Sequence, residues 1–360
     1  MTLLVNSAKA FATGRRRGKI SVPTITLAHG GGGSAMRNLI DDVFITAFDN
    51  PSLDLLEDQA RFALADLARL GDRLAFTTDS YVVDPLFFPG GDIGKLAVCG
   101  TINDLAVGGA VPLYLTCSAI IEEGLEVDTL RTVAKSMAAA AADAGVQIVT
   151  GDTKVVQKGT CDKLFLNTAG VGIIREGLDL GACRCGPGDA VLVNGLLGDH
   201  GAAILAARGD MELATAIESD CAALHGLVGY LLKAAPGTRF IRDATRGGLA
   251  TVLNEAARAS NVGIKIMEAA TPMREEVKAF CEILGLDPLY LANEGKIICV
   301  VPDNEEHAAL EAMRAHPLGG QAAVIGRVTD DNPGRVVMDT VLGGQRIVDM
   351  LVGDQLPRIC

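Results

Sequence analysis

The sequence predicts an α/β or α+β protein of two successive domains, each a sheet layered with helices. Three observations predict it. At 360 residues the chain is long enough to bury two cores. Both halves alternate short apolar, β-branched runs with longer stretches of helical period. Between the halves stands "REGLDLGACRCGPGDAVLVNG", which marks the boundary.

Residues 1–22 read as a flexible tail. Arg15, Arg16 and Arg17 follow its apolar part, opposite to a secretory signal, so a cytoplasmic tail is expected and an organellar leader is the alternative. "TITLAHGGGGSAMRNLIDDVFITAF" reads as strand, glycine loop and helix, with Met36, Leu39, Ile40, Val43, Phe44 and Ala47 on one helical face. The runs "RLAFTTDSYVV" and "LYLTCSAII" are strand-like, with "KLAVCGTINDLAVGG" between them as a helix. A helix from about Val127 to Ala144 ends at Gly145, and "VQIVTGDTKVV" and "NTAGVGII" supply two more strands. The second half repeats this grammar: "DAVLVNG", a helix, "RDATRGGLATVLNEAA" as loop then helix, "GIKIMEA", "EGKIICVVP" and "AAVIGRVT". The expected domains are 23–180 and 186–350, followed by a mobile tail, 351–360.

A net charge of −12, 4% aromatic residues and no tryptophan argue against nucleic-acid binding, which wants a basic face and stacking rings. No apolar run is long enough to span a bilayer. The nine cysteines form no CxxC pair, so neither a disulfide framework nor a zinc knuckle is expected. Cys183 and Cys185 are two ligands at most and do not complete a metal site. The cysteines in "KLAVCG" and "KIICVV" read as small core residues of a protein in a reducing compartment.

Chemistry is suggested at three places. In "HGGGGSAM", Gly30, Gly31, Gly32, Gly33 and Ser34 lead into a helix, where bare backbone N–H groups can approach a phosphate. Neither a Walker A motif nor a dinucleotide fingerprint fits, since "PGGDIGKL" puts Pro89 at the first glycine and Leu96 at the last position. Asp79, Asp104, Asp152 and Asp243 stand at strand ends or in glycine-flanked turns. Scattered aspartates are ordinarily caps and turns, but magnesium takes such hard oxygen ligands and shares them with phosphates. Lys95 and Lys154 lie near them in sequence. Finally, the chain ends "DQLPRIC". A thiol on the last residue is a chemical liability unless it is used.

The segments "LAHGGGGSAM", "FTTDSYVVDPLFFPGGDIGKLAVCGTINDLAVGG", "GDTKVV", "NGLLGDHGAAIL", "RDATRGGLATVLNEAA", "NEGK" and "PRIC" together resemble the HypE family of hydrogenase maturation carbamoyl dehydratases. That family belongs to the aminoimidazole ribonucleotide synthetase-like, or PurM-like, proteins, and the resemblance runs from Ile25 to Cys360. It implies a two-domain fold: an amino-terminal mixed sheet forming a barrel across a homodimer, and a carboxy-terminal α/β sandwich. ATP and magnesium (Mg2+) would bind near the dimer interface. Asp79, Asp104 and Asp152 would be the magnesium–ATP carboxylates, with Asp243 a fourth nucleotide residue and "HGGGGS" the loop over the nucleotide. Many relatives carry Asp-Asp-Ala-Ala where this chain has "LEDQARF"; Asp58 keeps one acid, while Glu57 and Gln59 depart.

The resemblance also gives the terminal thiol a task. The carbamoyltransferase HypF would load a carbamoyl group onto Cys360. ATP would phosphorylate the amide oxygen, phosphate would leave, and the resulting thiocyanate would pass cyanide to iron on a HypC–HypD scaffold. Lys154 and Glu294 are candidates for taking the nitrogen's protons. Read alone, Glu294 is a surface acid paired with Lys296, and His200 in "GDHG" either lines the tail channel or is structural. Other readings stay open. A selenophosphate synthetase would need a reactive cysteine in an early glycine loop, and no cysteine precedes Cys99. An amide-activating enzyme or kinase of purine or thiamine synthesis gives the terminal thiol no role. A non-catalytic assembly factor would lack magnesium-dependent ATP hydrolysis.

Overall fold

The computed structural model describes residues 17–209, 217–353 and 358–360. The chain divides into two compact units. The first runs to Leu86 and includes Asp92–Thr101 and Val111–Glu176; the second holds Phe87–Gly91, Ile102–Ala110 and the chain from Gly177 onward.

The first unit holds α1 (Ser34–Leu39), β1 (Arg73–Tyr81), the first part of α2 (Ile93–Val107), β2 (Ala110–Glu122), α3 (Val127–Asp143), β3 (Gln147–Val156) and β4 (Leu164–Ile174). The strand order is β1-β4-β2-β3. β1 runs antiparallel to β4, with Asp79 opposite Thr168. β2 and β3 run parallel, Ser118 beside Asp152, because α3 supplies the crossover a parallel pair requires. Thr168 Oγ1 donates to the Ala97 carbonyl of α2 at 3.0 Å, and Cys117 meets Met137 of α3, so both helices cover one sheet face. Strand alternation sends the intervening side chains to the other face, where Leu74, Phe76 and Ile120 remain 61%, 68% and 42% exposed. That face is open, and Asp152 and Lys154 stand on it beside Ser118 and Ile120.

Two expectations are corrected here. Among the described residues no strand precedes the glycine loop: Thr24 makes a single bridge to Glu126, and Leu27–Gly30 is a 3-10 turn. The reason is local, since the buried His29 accepts the Thr26 N–H at 3.0 Å through Nδ1 and pulls the segment round. Nor is the tail loose throughout residues 17–22. Arg17 pairs with Asp49, and the Gly18 and Ile20 N–H groups donate to Asp41 and Asp42. The helix expected after Ser34 forms, but with a π turn over Ile40–Ile45.

The second unit adds β5 (Ala190–Val193), α4 (Asp199–Ala207), α5 (His225–Ala234), β6 (Phe240–Asp243), α6 (Gly248–Ser260), β7 (Gly263–Met267), α7 (Glu275–Leu284), β8 (Ile297–Val301), α8 (Glu306–Arg314), β9 (Ala323–Thr329), β10 (Val336–Asp339) and β11 (Gln345–Val348). Its seven strands lie in the order β11-β10-β7-β9-β5-β8-β6. Val191, Val193, Ile298 and Val300 pack on α6, while Leu192, Cys299 and Val301 join the opposite core with Leu227 and Leu231 of α5 and Met313 of α8. With both faces covered, β5 and β8 are buried at every residue, which is why they read as unbroken apolar runs.

No disulfide joins the cysteines. Burial pushes the thiols of Cys117 and Cys299 up to about 12 and those of Cys185 and Cys281 up to about 11, so these four stay protonated and inert near neutrality. Among the described residues no three metal-ligating side chains gather.

Candidate functional site

The glycine loop lies on the edge strand β3. Gly30 packs so closely on Val155 that a Cβ would stand 3.0 Å from that residue's Cβ and amide nitrogen. Gly32 adopts φ +78°, which favours glycine, and both Gly32 and Gly33 have open space where side chains would be. No side chain caps the start of α1 and no acid stands in its first turn. Gly30, Gly31, Gly32, Gly33 and Ser34 therefore approach the strand that carries Asp152 and Lys154, both exposed. This edge presents uncapped amides, a carboxylate and an ammonium to an incoming ligand.

The other acids are dispersed. Asp79 lies on β1, the opposite edge of the same sheet, three strand spacings or about 14 Å across. Its Oδ1 accepts the Ser80 N–H at 2.8 Å. Asp58 is exposed outside any helix or strand. Asp104 stands on the second part of α2 and Asp243 at the end of β6, both half-buried in the second unit. Within the first unit, then, only the glycine loop, Asp152 and Lys154 come together.

The second unit corrects the reading of Glu294. It is 3% exposed, not a surface acid, and Lys296 pairs with Asp220 instead, at 2.9 Å. The Glu294 N–H donates to the other Asp220 oxygen at 2.9 Å, and its carbonyl accepts from the Asn103 amide at 3.3 Å. Burial pushes the Asp220 carboxyl up, but Lys296 and the Glu294 amide outweigh it and hold the group below the usual carboxylate range. Main-chain bonds thus hold Glu294 on both sides of its Cα. The "NEGK" motif hid this, because Asp220 lies 74 residues earlier and carries no signal of its own.

The end of the chain is docked in the second unit. Ile359 is buried at 4%, and its carbonyl accepts from His200 Nε2 at 2.8 Å. The Arg358 carbonyl accepts from Arg208 at 2.7 Å. Just ahead of the Arg358 carbonyl the chain turns through a left-handed Arg358, φ +55°, a conformation costing a non-glycine residue about 1–2 kcal/mol. Cys360 is half-buried. Residues 354–357, with Pro357, lie outside the described residues.

His200 is completely buried, edge-on to Phe88, with Nδ1 2.8 Å from Ser219 Oγ. Burial lowers its pKa against the opposing pull of Asp220 and of the Ile359 carbonyl, so the ring is neutral at pH 7. A carbonyl only accepts, so the single proton sits on Nε2, and Nδ1 accepts from the Ser219 hydroxyl. Such a histidine takes up fewer protons folded than unfolded. Its contribution to stability is therefore complete above the ordinary value of 6.5 and is lost as pH falls below it. His225 and His316, also lowered by burial, act in the same direction. The urea midpoint is expected to fall between about pH 7.5 and about pH 5.5, and to fall less in His200→Phe. Equal slopes in the two proteins would rule out His200 as a source.

Comparison with known proteins agrees with this architecture. The pattern of the AIR synthase related protein N-terminal domain matches residues 57–174, and that of the corresponding C-terminal domain matches 186–339. A Rhodobacter capsulatus protein named carbamoyl dehydratase HypE is 60% identical over 336 residues, covering 93% of this chain and 98% of its own. The crystal structure of hydrogenase maturation protein HypE in complex with ATP superposes with a TM-score of 0.89 at 50% identity, over 94% of this chain and all of that one. A chain in the crystal structure of a HypE–HypF complex gives a TM-score of 0.75 at 48% identity, over 87% of this chain and 99% of its own.

Proposed function

The chain belongs to the carbamoyl dehydratase HypE family, and from that membership we propose that it dehydrates a carbamoyl group carried on its own terminal Cys360. The observation that carries the reading is the docked terminus: Ile359 is buried and Cys360 is left half-buried beside it. A thiolate is a good carrier because it is strongly nucleophilic near neutral pH.

The reaction balances as two proton losses and one phosphoryl transfer. The thiocarbamate oxygen takes the γ-phosphoryl group of ATP while one N–H proton leaves, giving an S–C(OPO3)=NH species and ADP. Loss of the second N–H proton then expels phosphate and leaves S–C≡N. The oxygen of the formal water departs in the phosphate. Glu294 and Lys154 are the proposed bases, Glu294 because it is buried and held by main-chain bonds. The Gly30–Ser34 loop would close over the nucleotide, and Asp58 and Asp243 are further nucleotide candidates. Asp79, Asp104 and Asp152 offer the hard oxygens magnesium takes, and a bound ion would neutralise phosphate charge. No three such groups gather among the described residues, so the ion would complete its shell with phosphate and water.

A homodimer fits the open face of the first sheet, on which Leu74, Phe76 and Ile120 are exposed. It also answers the separation of Asp79 from Asp152, since sheet closure between two copies can set β1 of one near β3 of the other. HypF is the proposed carbamoyl donor, in keeping with the HypE–HypF structure, and a HypC–HypD scaffold the proposed cyanide acceptor. Among the described residues no helix is long and apolar enough to cross a membrane.

Intact-mass spectrometry tests the proposal directly. With the loading enzyme, carbamoyl phosphate and ATP, the protein is expected to gain a carbamoyl group and then lose one water as ADP appears. A carbamoylated protein that persists unchanged with magnesium and ATP overturns the dehydratase assignment.

A further inference from the structure

We propose that His200, set by Ser219 and assisted by Arg208, is a main-chain clamp that seats the carboxy-terminal tail whatever cargo Cys360 carries. The inference rests on the carbamoyl dehydratase reading for its purpose, though not for its geometry. Two successive peptide carbonyls are held, Arg358 by the Arg208 guanidinium at 2.7 Å and Ile359 by the His200 imidazole at 2.8 Å. A left-handed Arg358 turns the chain just ahead of the first, a backbone form that persists only where surrounding contacts over-determine it.

The second holder is built for this one bond. His200 is wholly buried and neutral, and Ser219 Oγ fixes its ring at Nδ1. The Ser219 hydroxyl in turn accepts the Cys221 N–H at 3.1 Å, and the Ser219 N–H donates to the Pro89 carbonyl at 2.8 Å. Every one of these groups belongs to the second unit. Both clamp bonds fall on peptide carbonyls, ahead of the thiol. Thiol, thiocarbamate and thiocyanate forms of the tail therefore present the same handle. A carrier arm needs such cargo-blind docking, since loading and dehydration act on different forms of one terminus. His200 is on this account a positioning residue.

Carboxypeptidase release of Cys360 and Ile359 from the full-length protein, followed by mass spectrometry, reads the clamp without ATP or a loading enzyme. His200→Phe keeps the bulk and edge contact but removes both ring bonds. It is expected to release the two residues about tenfold faster, the factor set by one buried hydrogen bond. His200→Gln, which retains an N–H donor, is expected to restore much of the protection. Arg208→Ala, outside the core, is expected to accelerate release without changing the urea midpoint, and it decides the matter if His200→Phe misfolds. In single-turnover assays of carbamoylated protein the same variants slow dehydration while ATP affinity stays unchanged. Release rates equal to the native protein's in both His200→Phe and Arg208→Ala would overturn the clamp. A clamp that responds as expected in a protein showing no dehydration would overturn the enzymatic reading alone.

Discussion

Cys360→Ala protein is expected to bind ATP as the native chain does and to form no thiocyanate at all. On the proposed reading the effect is complete, because the thiol is the point of covalent attachment. Burial pushes the thiols of Cys117 and Cys299 up to about 12 and those of Cys185 and Cys281 up to about 11, which leaves almost no thiolate to be carbamoylated. Cys183 is exposed but lies in the chain's interior, where it lacks the reach of a terminus. Cys360→Ser is expected to fail as well, since an alcohol is a weak nucleophile near neutral pH. Peptide mapping after exposure to the loading system checks the assignment. A carbamoyl or cyano group found on the Cys360→Ala chain would show that the carrier lies elsewhere.

The second large effect is expected at Glu294. Glu294→Gln should lower the single-turnover dehydration rate by about 10²–10⁴-fold, the range a positioned general base supplies. The substitution keeps the side-chain volume and leaves untouched the main-chain bonds of residue 294, its N–H to Asp220 and its carbonyl from Asn103. Folding, ATP affinity and carbamoyl loading should therefore be nearly untouched. A loss of rate confined to the dehydration step identifies a base, whereas a lowered urea midpoint with proportional loss of every activity identifies a structural acid. An unchanged rate removes Glu294 from the chemistry and leaves Lys154, exposed on β3, as the base to test.

Local chemistry was legible where residue type and spacing carry it. The glycines of "HGGGGS" announced an uncapped helix start, and Gly32 at φ +78° with open space around it has that form. Apolar alternation and period located α2, α3, α6, β5 and β8 with little displacement. The strand expected before the glycine loop failed for a reason within three residues, because the His29 ring captures the Thr26 amide. Reading Glu294 as partner to Lys296 failed for a distant one. Asp220 and Lys296 lie 76 residues apart, and only folding brings their charges within 2.9 Å.

By itself the sequence determined the two-unit α/β organisation and the inert core cysteines, and it singled out Cys360 as the thiol to test. These follow from composition, period and position, which are properties of neighbours along the chain. Tertiary structure alone decided that Glu294 is buried, that Asp79 and Asp152 stand on opposite sheet edges, and that His200 and Arg208 grip the last carbonyls. Such facts depend on strand order and on hydrogen bonds spanning 150 residues or more, and backbone carbonyls, being common to every residue, leave no mark in the sequence by which their partners could be read.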